Sequence, residues 1–148
     1  MVDGHPGEAC LTVDQVTALV DEHFPQVHAG GKIIFVEAVG AGSALVRMAA
    51  DERTVRPGGT ISGPAMFMLA DVAVYVAILG ARGAAALQAV TTNLSMNFLR
   101  RPPQRDLLAR VRLLKVGRRL AIGEVEIVSA EEHELVAHAV ATYAMPTE

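Results

Sequence analysis

Residues Gly63–Ala81 read GPAMFMLADVAVYVAILGA, an apolar run about as long as a membrane span, with Asp71 as its only charge. A charge near the centre of a membrane helix costs about 2.5–3.5 kcal/mol, and no second apolar span follows in the sequence. We therefore predict a helix that is enclosed on all sides by a protein core. Pro64 suits the first turn of this helix, and Gly80 and Gly83 are predicted to close it.

The segments around this helix have strand character, apart from one further helix near the N-terminus. Thr12 is a suitable N-cap for a helix over residues 12–24, which Pro25 ends. The segments predicted as strands are 32–39, 43–49, 89–100, 106–116, 120–129 and 135–145. Because no room is left for helices between the last four strands, their order indicates an α+β fold in which an antiparallel sheet wraps the long helix.

The composition limits the class of protein. A chain of 148 residues is one domain by size, residues 1–148, in which we predict that residues 1–10 are disordered. The hydrophobic content of 51% excludes a disordered chain, and the aromatic content of 4% disfavours stacking on single-stranded nucleic acid. A net charge of −3 argues against a general DNA-binding protein. With Cys10 as the only cysteine and no secretory signal before it, we predict a cytoplasmic protein that binds neither membranes nor nucleic acid.

Four motifs, in this order, resemble those of the PaaI-like hotdog-fold acyl-CoA thioesterases. The central-helix motif of that family reads His-Gly-Gly, a spacer and Leu-Ala-Asp-Thr-Ala, and residues 58–73 of this chain read GGTISGPAMFMLADVA. Three further motifs of the family are matched in order. They are a strand at 90–100 (VTTNLSMNFLR), a Gly-Arg turn at 114–120 (LKVGRRL) and the last strand at 135–143. The resemblance covers about residues 30–146 and implies a hotdog fold.

The central motif departs from the family pattern at several positions. Asp71 matches the family's Asp, and Gly63 matches its first motif Gly. Ser62, however, stands where the family usually has His, and Pro64 stands where it has the second Gly. Arg56 occupies a position at which some members carry Asn. The resemblance places Arg56 among the residues expected to bind substrate.

Asp71 is the candidate catalytic carboxylate. Its neighbours one turn away, Phe67 and Tyr75 among them, form an apolar face on which a charge is costly unless it is paired or functional. One interpretation is a structural carboxylate that a nearby hydroxyl or N–H group satisfies. The resemblance implies instead the general base or nucleophile of thioester hydrolysis.

Gly63 is the candidate oxyanion donor, because a helix N-terminus presents free N–H groups and Pro64 has none. The alternative is a glycine needed only for the turn into the helix. Ser62 could cap the helix or donate to the thioester, and we favour the cap. Asp71 lies about 12 Å along the helix axis from Gly63, too far for both to reach one carbonyl. We therefore predict a site shared between two subunits, which agrees with the dimer known in the family and is compatible with a dimer of dimers.

Polar and basic residues near the strand ends are candidate substrate contacts. Thr91 lies with Asn93 on the polar face of the strand 89–100, where the resemblance implies that Thr91 positions the water or the carboxylate. The alternative is a face turned to solvent or to another sheet. Residues 100–119 contain eight of the 13 Lys and Arg residues, so this segment could hold the phosphates of CoA or pair with nearby glutamates. The phosphate-contact candidates are Arg100, Arg101, Gly117, Arg118 and Arg119.

The sequence therefore predicts an acyl-CoA thioesterase with CoA thioester as its substrate and without a cofactor or metal. The departures at Ser62 and Pro64 motivate a second hypothesis, a non-catalytic acyl-CoA binding module. A third, a hotdog enoyl-CoA hydratase, would use an Asp–His pair, and no His follows Asp71 at close spacing. The sequence leaves the acyl group open.

Overall fold

The computed structural model describes residues 9–147. Most of the segment predicted to be disordered, residues 1–8, lies outside this range, while the Cys10 N–H donates to the Gly80 carbonyl at 2.7 Å. The helices are α1, Val13–His23, and α2, Gly63–Arg82, with 3-10 turns at Pro25–His28, Glu52–Thr54 and Gly83–Ala86. The strands are β1 (Ile34–Val39), β2 (Ser43–Met48), β3 (Val55–Arg56), β4 (Thr60–Ile61), β5 (Val90–Phe98), β6 (Leu107–Val116), β7 (Leu120–Ser129) and β8 (Leu135–Ala144).

The six longer strands form one antiparallel sheet in the order β1-β2-β6-β7-β8-β5, which curves around α2. This arrangement confirms the predicted α+β hotdog architecture. Between β2 and α2 the chain forms the small antiparallel β3–β4 hairpin. Strand β5 forms one edge of the sheet and pairs only with β8 within the described chain.

Helix α2 is the core of the molecule. It is long and apolar enough to cross a membrane, but 78% of its most apolar window is buried inside the protein, as the lone Asp71 led us to expect. The Ser62 side chain accepts the Ala65 N–H at 3.2 Å and caps the helix, and Gly83 ends it with a φ of 74° that favours glycine. Gly80 does not close the helix as predicted. It lies inside the last turns, directly beneath Val39.

Small residues on the inner face of the sheet let α2 approach closely. A Cβ at Gly123 of β7 would lie 3.0 Å from the Val74 Cγ1 atom, closer than side chains normally pack. The neighbouring strands present fully buried alanines to the helix: Ala109, Ala121, Ala137, Ala139 and Ala141. Much of the interface between the sheet and α2 is therefore built from small side chains, in keeping with the low aromatic content of the sequence.

Helix α1 packs on the outside of α2. Thr12 and Gln15 form a reciprocal capping box at its start, which confirms Thr12 as the N-cap. Its last backbone hydrogen bond runs from the Phe24 N–H to the Val20 carbonyl at 2.8 Å. The Phe24 ring then meets the Tyr75 ring of α2 edge-on, with 5.9 Å between the ring centroids. This contact brings α1 to the middle of α2, one turn beyond Asp71.

Candidate active site

The Asp71 carboxylate is held by two hydroxyl groups from two strands. The Thr91 hydroxyl donates to its Oδ1 atom at 2.6 Å, and the Tyr143 hydroxyl lies 2.8 Å from the same atom. The Tyr143 hydroxyl is also 2.8 Å from the backbone carbonyl oxygen of Asp71. Within residues 9–147 no donor reaches Oδ2. One oxygen of the carboxylate is thus fixed by two hydroxyl groups, while the other has no donor among the described residues.

A β-bulge in β5 decides which residues of that strand reach Asp71. Regular alternation predicted Thr91 and Asn93 on one polar face, and the structure contradicts this. Thr91 pairs with Tyr143 of β8, whereas Asn93 pairs with Thr142, so that Thr92 is the extra residue between them. The bulge turns Thr91 towards the helix. Asn93 stays exposed on the opposite face and does not join the carboxylate.

Tyr143 is the site residue that the sequence reasoning missed. It is buried, with 4% of its surface exposed, and burial together with the charge of Asp71 raises its pKa above the ordinary value. The phenol therefore remains a hydrogen-bond donor throughout the neutral range. The available signal was that the chain has only two tyrosines, and that the other, Tyr75, lies one turn from Asp71. The two rings stack with 6.2 Å between their centroids.

A pocket of about 320 Å³ opens beside Asp71. Tyr75 forms part of its wall and is fixed by a 2.6 Å hydrogen bond from its hydroxyl to the Leu87 carbonyl. His23 and Phe24 reach the pocket from α1. No motif in the sequence could link α1 to Asp71, because the contact depends on how the helices pack. The remaining lining residues are Gln88, Ala89, Val90, Thr91 and Tyr143.

A second pocket, of about 310 Å³, lies at the N-terminal end of α2. Gly63 lines it, and its N–H donates to no acceptor within residues 9–147. A Cβ at this glycine would lie 3.4 Å from the Phe98 ring. The structure brings three of the predicted substrate-binding residues to this pocket: Arg56, Arg100 and Arg101. Ser62 caps the helix, as favoured above, so its hydroxyl is already engaged.

The basic segment divides into paired and unpaired side chains. Pairing with glutamates was the alternative to phosphate binding, and four arginines of the segment lie within salt-bridge distance of a glutamate. The pairs are Arg100–Glu134, Arg105–Glu131, Arg110–Glu126 and Arg112–Glu124. Within the described range Arg101, Arg118 and Arg119 have no carboxylate partner. Gly117, Arg118 and Arg119 line a third pocket, of about 620 Å³, to which Arg82 of α2 also contributes. They are therefore separate from the Gly63 pocket in a single chain.

Asp71 and Gly63 line different pockets of the same chain, as their separation along α2 requires. An antiparallel sheet wrapped around one long central helix is the hotdog architecture that the sequence motifs implied. The comparison with known families identifies the superfamily to which this fold belongs. The family model of the thioesterase superfamily matches residues 58–136, and the chain belongs to that superfamily.

Solved structures agree with this assignment. A provisionally assigned thioesterase from Silicibacter sp. is 42% identical to this chain over 97% of both, with a TM-score of 0.85. The phenylacetic acid degradation protein PaaI of Thermus thermophilus is 28% identical, over 82% of this chain and 99% of that protein, with a TM-score of 0.70. A thioesterase from Haemophilus influenzae, 21% identical over 97% of this chain and 96% of that protein, shares the fold with a TM-score of 0.80. No curated protein sequence matches the chain significantly.

Proposed function

We propose that the protein is an acyl-CoA thioesterase in which Asp71 activates water for attack on the thioester carbonyl. Membership of the superfamily supports thioester hydrolysis in general. The observation that carries the specific assignment is the carboxylate itself, with Oδ1 held by two hydroxyl groups and Oδ2 left without a donor. An oriented carboxylate with one free oxygen is suited to general-base catalysis.

In the proposed reaction Oδ2 of Asp71 takes a proton from a water molecule while the water oxygen attacks the carbonyl carbon. The C–O double bond opens to an oxyanion, which the Gly63 N–H and the N-terminal dipole of α2 stabilise. When the oxyanion collapses, the C–S bond breaks, and the proton held by Asp71 passes to the departing thiolate. The products are the free acid and CoA. The same oxygen could instead attack the carbonyl carbon directly, so that the C–S bond breaks, CoA leaves as the thiolate and a mixed anhydride forms; water then hydrolyses the anhydride to the free acid and supplies the proton that the thiolate takes up.

A homodimer formed through β5 would bring the two halves of this site together. The strand is nine residues long, lies at an edge of the sheet and carries the exposed apolar side chains Val90 and Phe98. If two copies pair antiparallel about its midpoint, Thr91 of one copy lies beside the far end of the strand in the other. Asp71 accepts a hydrogen bond from Thr91, and Gly63 lines the same pocket as Phe98 at that far end. The Asp71 pocket of each subunit would therefore face the partner's Gly63 pocket.

The arginines support a phosphorylated thiol as the leaving group. Arg56 and Arg101 lie beside Gly63 and have no carboxylate partner among residues 9–147, and Arg118 and Arg119 form a second basic group with Arg82. The diphosphate and 3′-phosphate of CoA would be held by such side chains. The proposal needs no cofactor or metal, and the reducing cytoplasm remains the predicted location.

A non-catalytic acyl-CoA binding module is the second candidate function. One observation favours it. Ser62 replaces the usual His of the family, and its hydroxyl oxygen accepts the Ala65 N–H and so caps α2. Such a module would bind CoA esters without releasing thiol.

A thiol-release assay over short, long and aryl acyl-CoA esters separates the two candidates. We expect turnover by the wild type and its near-complete loss in Asp71→Asn, which keeps the shape and the Oδ1 hydrogen-bond acceptor. Unchanged circular dichroism and CoA binding in the variant would show that it is folded. Tight binding without thiol release by the wild type would favour the binding module, and near-full activity of Asp71→Asn would refute the assigned base.

A further inference from the structure

We propose that Phe24, which directly follows helix α1, limits the length of the acyl group that the Asp71 pocket accepts. The inference rests on the proposed hydrolysis and adds a specificity-determining residue outside the region of resemblance, which begins near residue 30. It follows from the position of Phe24 at the pocket wall, next to Tyr75 and one helical turn from the carboxylate.

The Asp71 pocket has the character of an acyl site. It lies directly beside the carboxylate that must face the reacting carbonyl, and Leu87, Ala89 and Val90 make much of its wall apolar. Among the described residues no Lys or Arg lines it, whereas the Gly63 pocket is lined by three arginines. A thioester bound between the two pockets would therefore place its acyl group against α1 and its phosphates against the arginines. The volume of about 320 Å³ is near the lower end for small-molecule sites, which suits a short acyl group.

The backbone on both sides of Phe24 is held by hydrogen bonds, and its ring, which is 40% exposed, rests against Tyr75 at the rim of the pocket. Its N–H donates to the Val20 carbonyl at 2.8 Å, its carbonyl accepts the Val27 N–H at 3.2 Å, and Pro25 follows it. The ring packs edge-on against Tyr75, which stacks on Tyr143, which in turn holds Asp71. Removal of the Phe24 ring would open the pocket at its α1 end. The hydrogen bonds that hold Asp71 would stay in place, because they come from Thr91 and Tyr143.

The test is the chain-length profile of Phe24→Ala. We expect the kcat/KM ratio of a long-chain to a short-chain acyl-CoA to rise at least about tenfold, since one methylene group in an apolar pocket discriminates roughly 10–200-fold. Phe35→Ala is the matched control, because Phe35 is an exposed ring on β1, 37% accessible, that does not line the pocket. Equal profiles for the two variants would overturn the proposal.

A binding measurement decides the question without turnover. The chain has two tyrosines and no tryptophan, and both tyrosines line this pocket. Titration of the folded protein with S-alkyl-CoA thioethers of increasing length should shift the NMR ring signals of both tyrosines. In the wild type affinity should fall beyond a limiting length, and Phe24→Ala should extend that limit. Absence of turnover with every ester would refute the proposed hydrolysis. Thioethers that leave both tyrosine signals unchanged would refute the acyl pocket.

Discussion

A mixture of two inactive variants provides a direct test of the shared active site. Asp71→Asn removes the base, and Gly63→Pro removes the N–H donor while keeping a residue that is tolerated at the first position of a helix. Each homodimer should be inactive or nearly so, since loss of one oxyanion donor alone costs about 10²–10³ in kcat. If each site combines Asp71 of one subunit with Gly63 of the other, a mixed dimer has one intact site and one doubly altered site.

The expected recovery of thiol-release activity follows from the two-fold symmetry of the dimer. Random reassociation of equal amounts yields about half mixed dimers, each with one of two sites intact, so that the mixture should recover about a quarter of wild-type activity. The assay is thiol release after joint denaturation and refolding, with each variant refolded alone as the control. Recovery near zero, although mass spectrometry detects mixed dimers, would place both groups in one subunit and refute the composite site.

Three further measurements probe the structure around the carboxylate. Tyr143→Phe should lower kcat roughly 10–100-fold with little change in KM, because a hydrogen bond to a charged group is worth about 1.5–3 kcal/mol; an unchanged kcat would mean that Thr91 alone orients Asp71. Burial and the charge of Asp71 hold the pKa of Tyr143 in the folded protein above its value in the unfolded chain, so the neutral phenol contributes its full stabilisation of the fold below about pH 10 and progressively less as the pH rises above that value. Melting temperatures between pH 8 and 11 should therefore fall more steeply for the wild type than for Tyr143→Phe, and parallel curves would contradict this. Gly123→Ala should destabilise the fold by about 1–3 kcal/mol in urea titration, since its Cβ would press on Val74, and an unchanged midpoint would show that α2 can shift.

The fold could be predicted because its decisive elements are local. The apolar run from Gly63, broken only by Asp71, marked the central helix, and the order of the strands left only an antiparallel sheet around it. The errors came from backbone detail. Gly80 resembled a helix stop, but it lies inside α2, where a Cβ would lie only 3.3 Å from the Cβ atom of Val39.

Less of the candidate site than of the fold could be predicted from the sequence. Asp71, Gly63 and Ser62 belong to one continuous motif and could be assigned together. The face occupied by Thr91 depended on a bulge, which alternation cannot show. Tyr143 and Phe24 reach Asp71 and its pocket only through the pairing of β8 with β5 and the packing of α1 on α2. Contacts between residues so distant in the chain leave no local pattern.

The bulge at Thr92 also indicates which sequence changes in β5 the site should tolerate. The Thr92 hydroxyl donates one hydrogen bond, to the Thr142 carbonyl at 3.2 Å, and Thr92 has no residue paired opposite it in β8. Many substitutions at this position should therefore leave the site intact. Deletion of the same residue would make the pairs Thr91–Tyr143 and Asn93–Thr142 consecutive, so that regular alternation would still turn Thr91 towards the helix. The orientation of Thr91 thus depends on its pairing with Tyr143 and not on which residue occupies position 92.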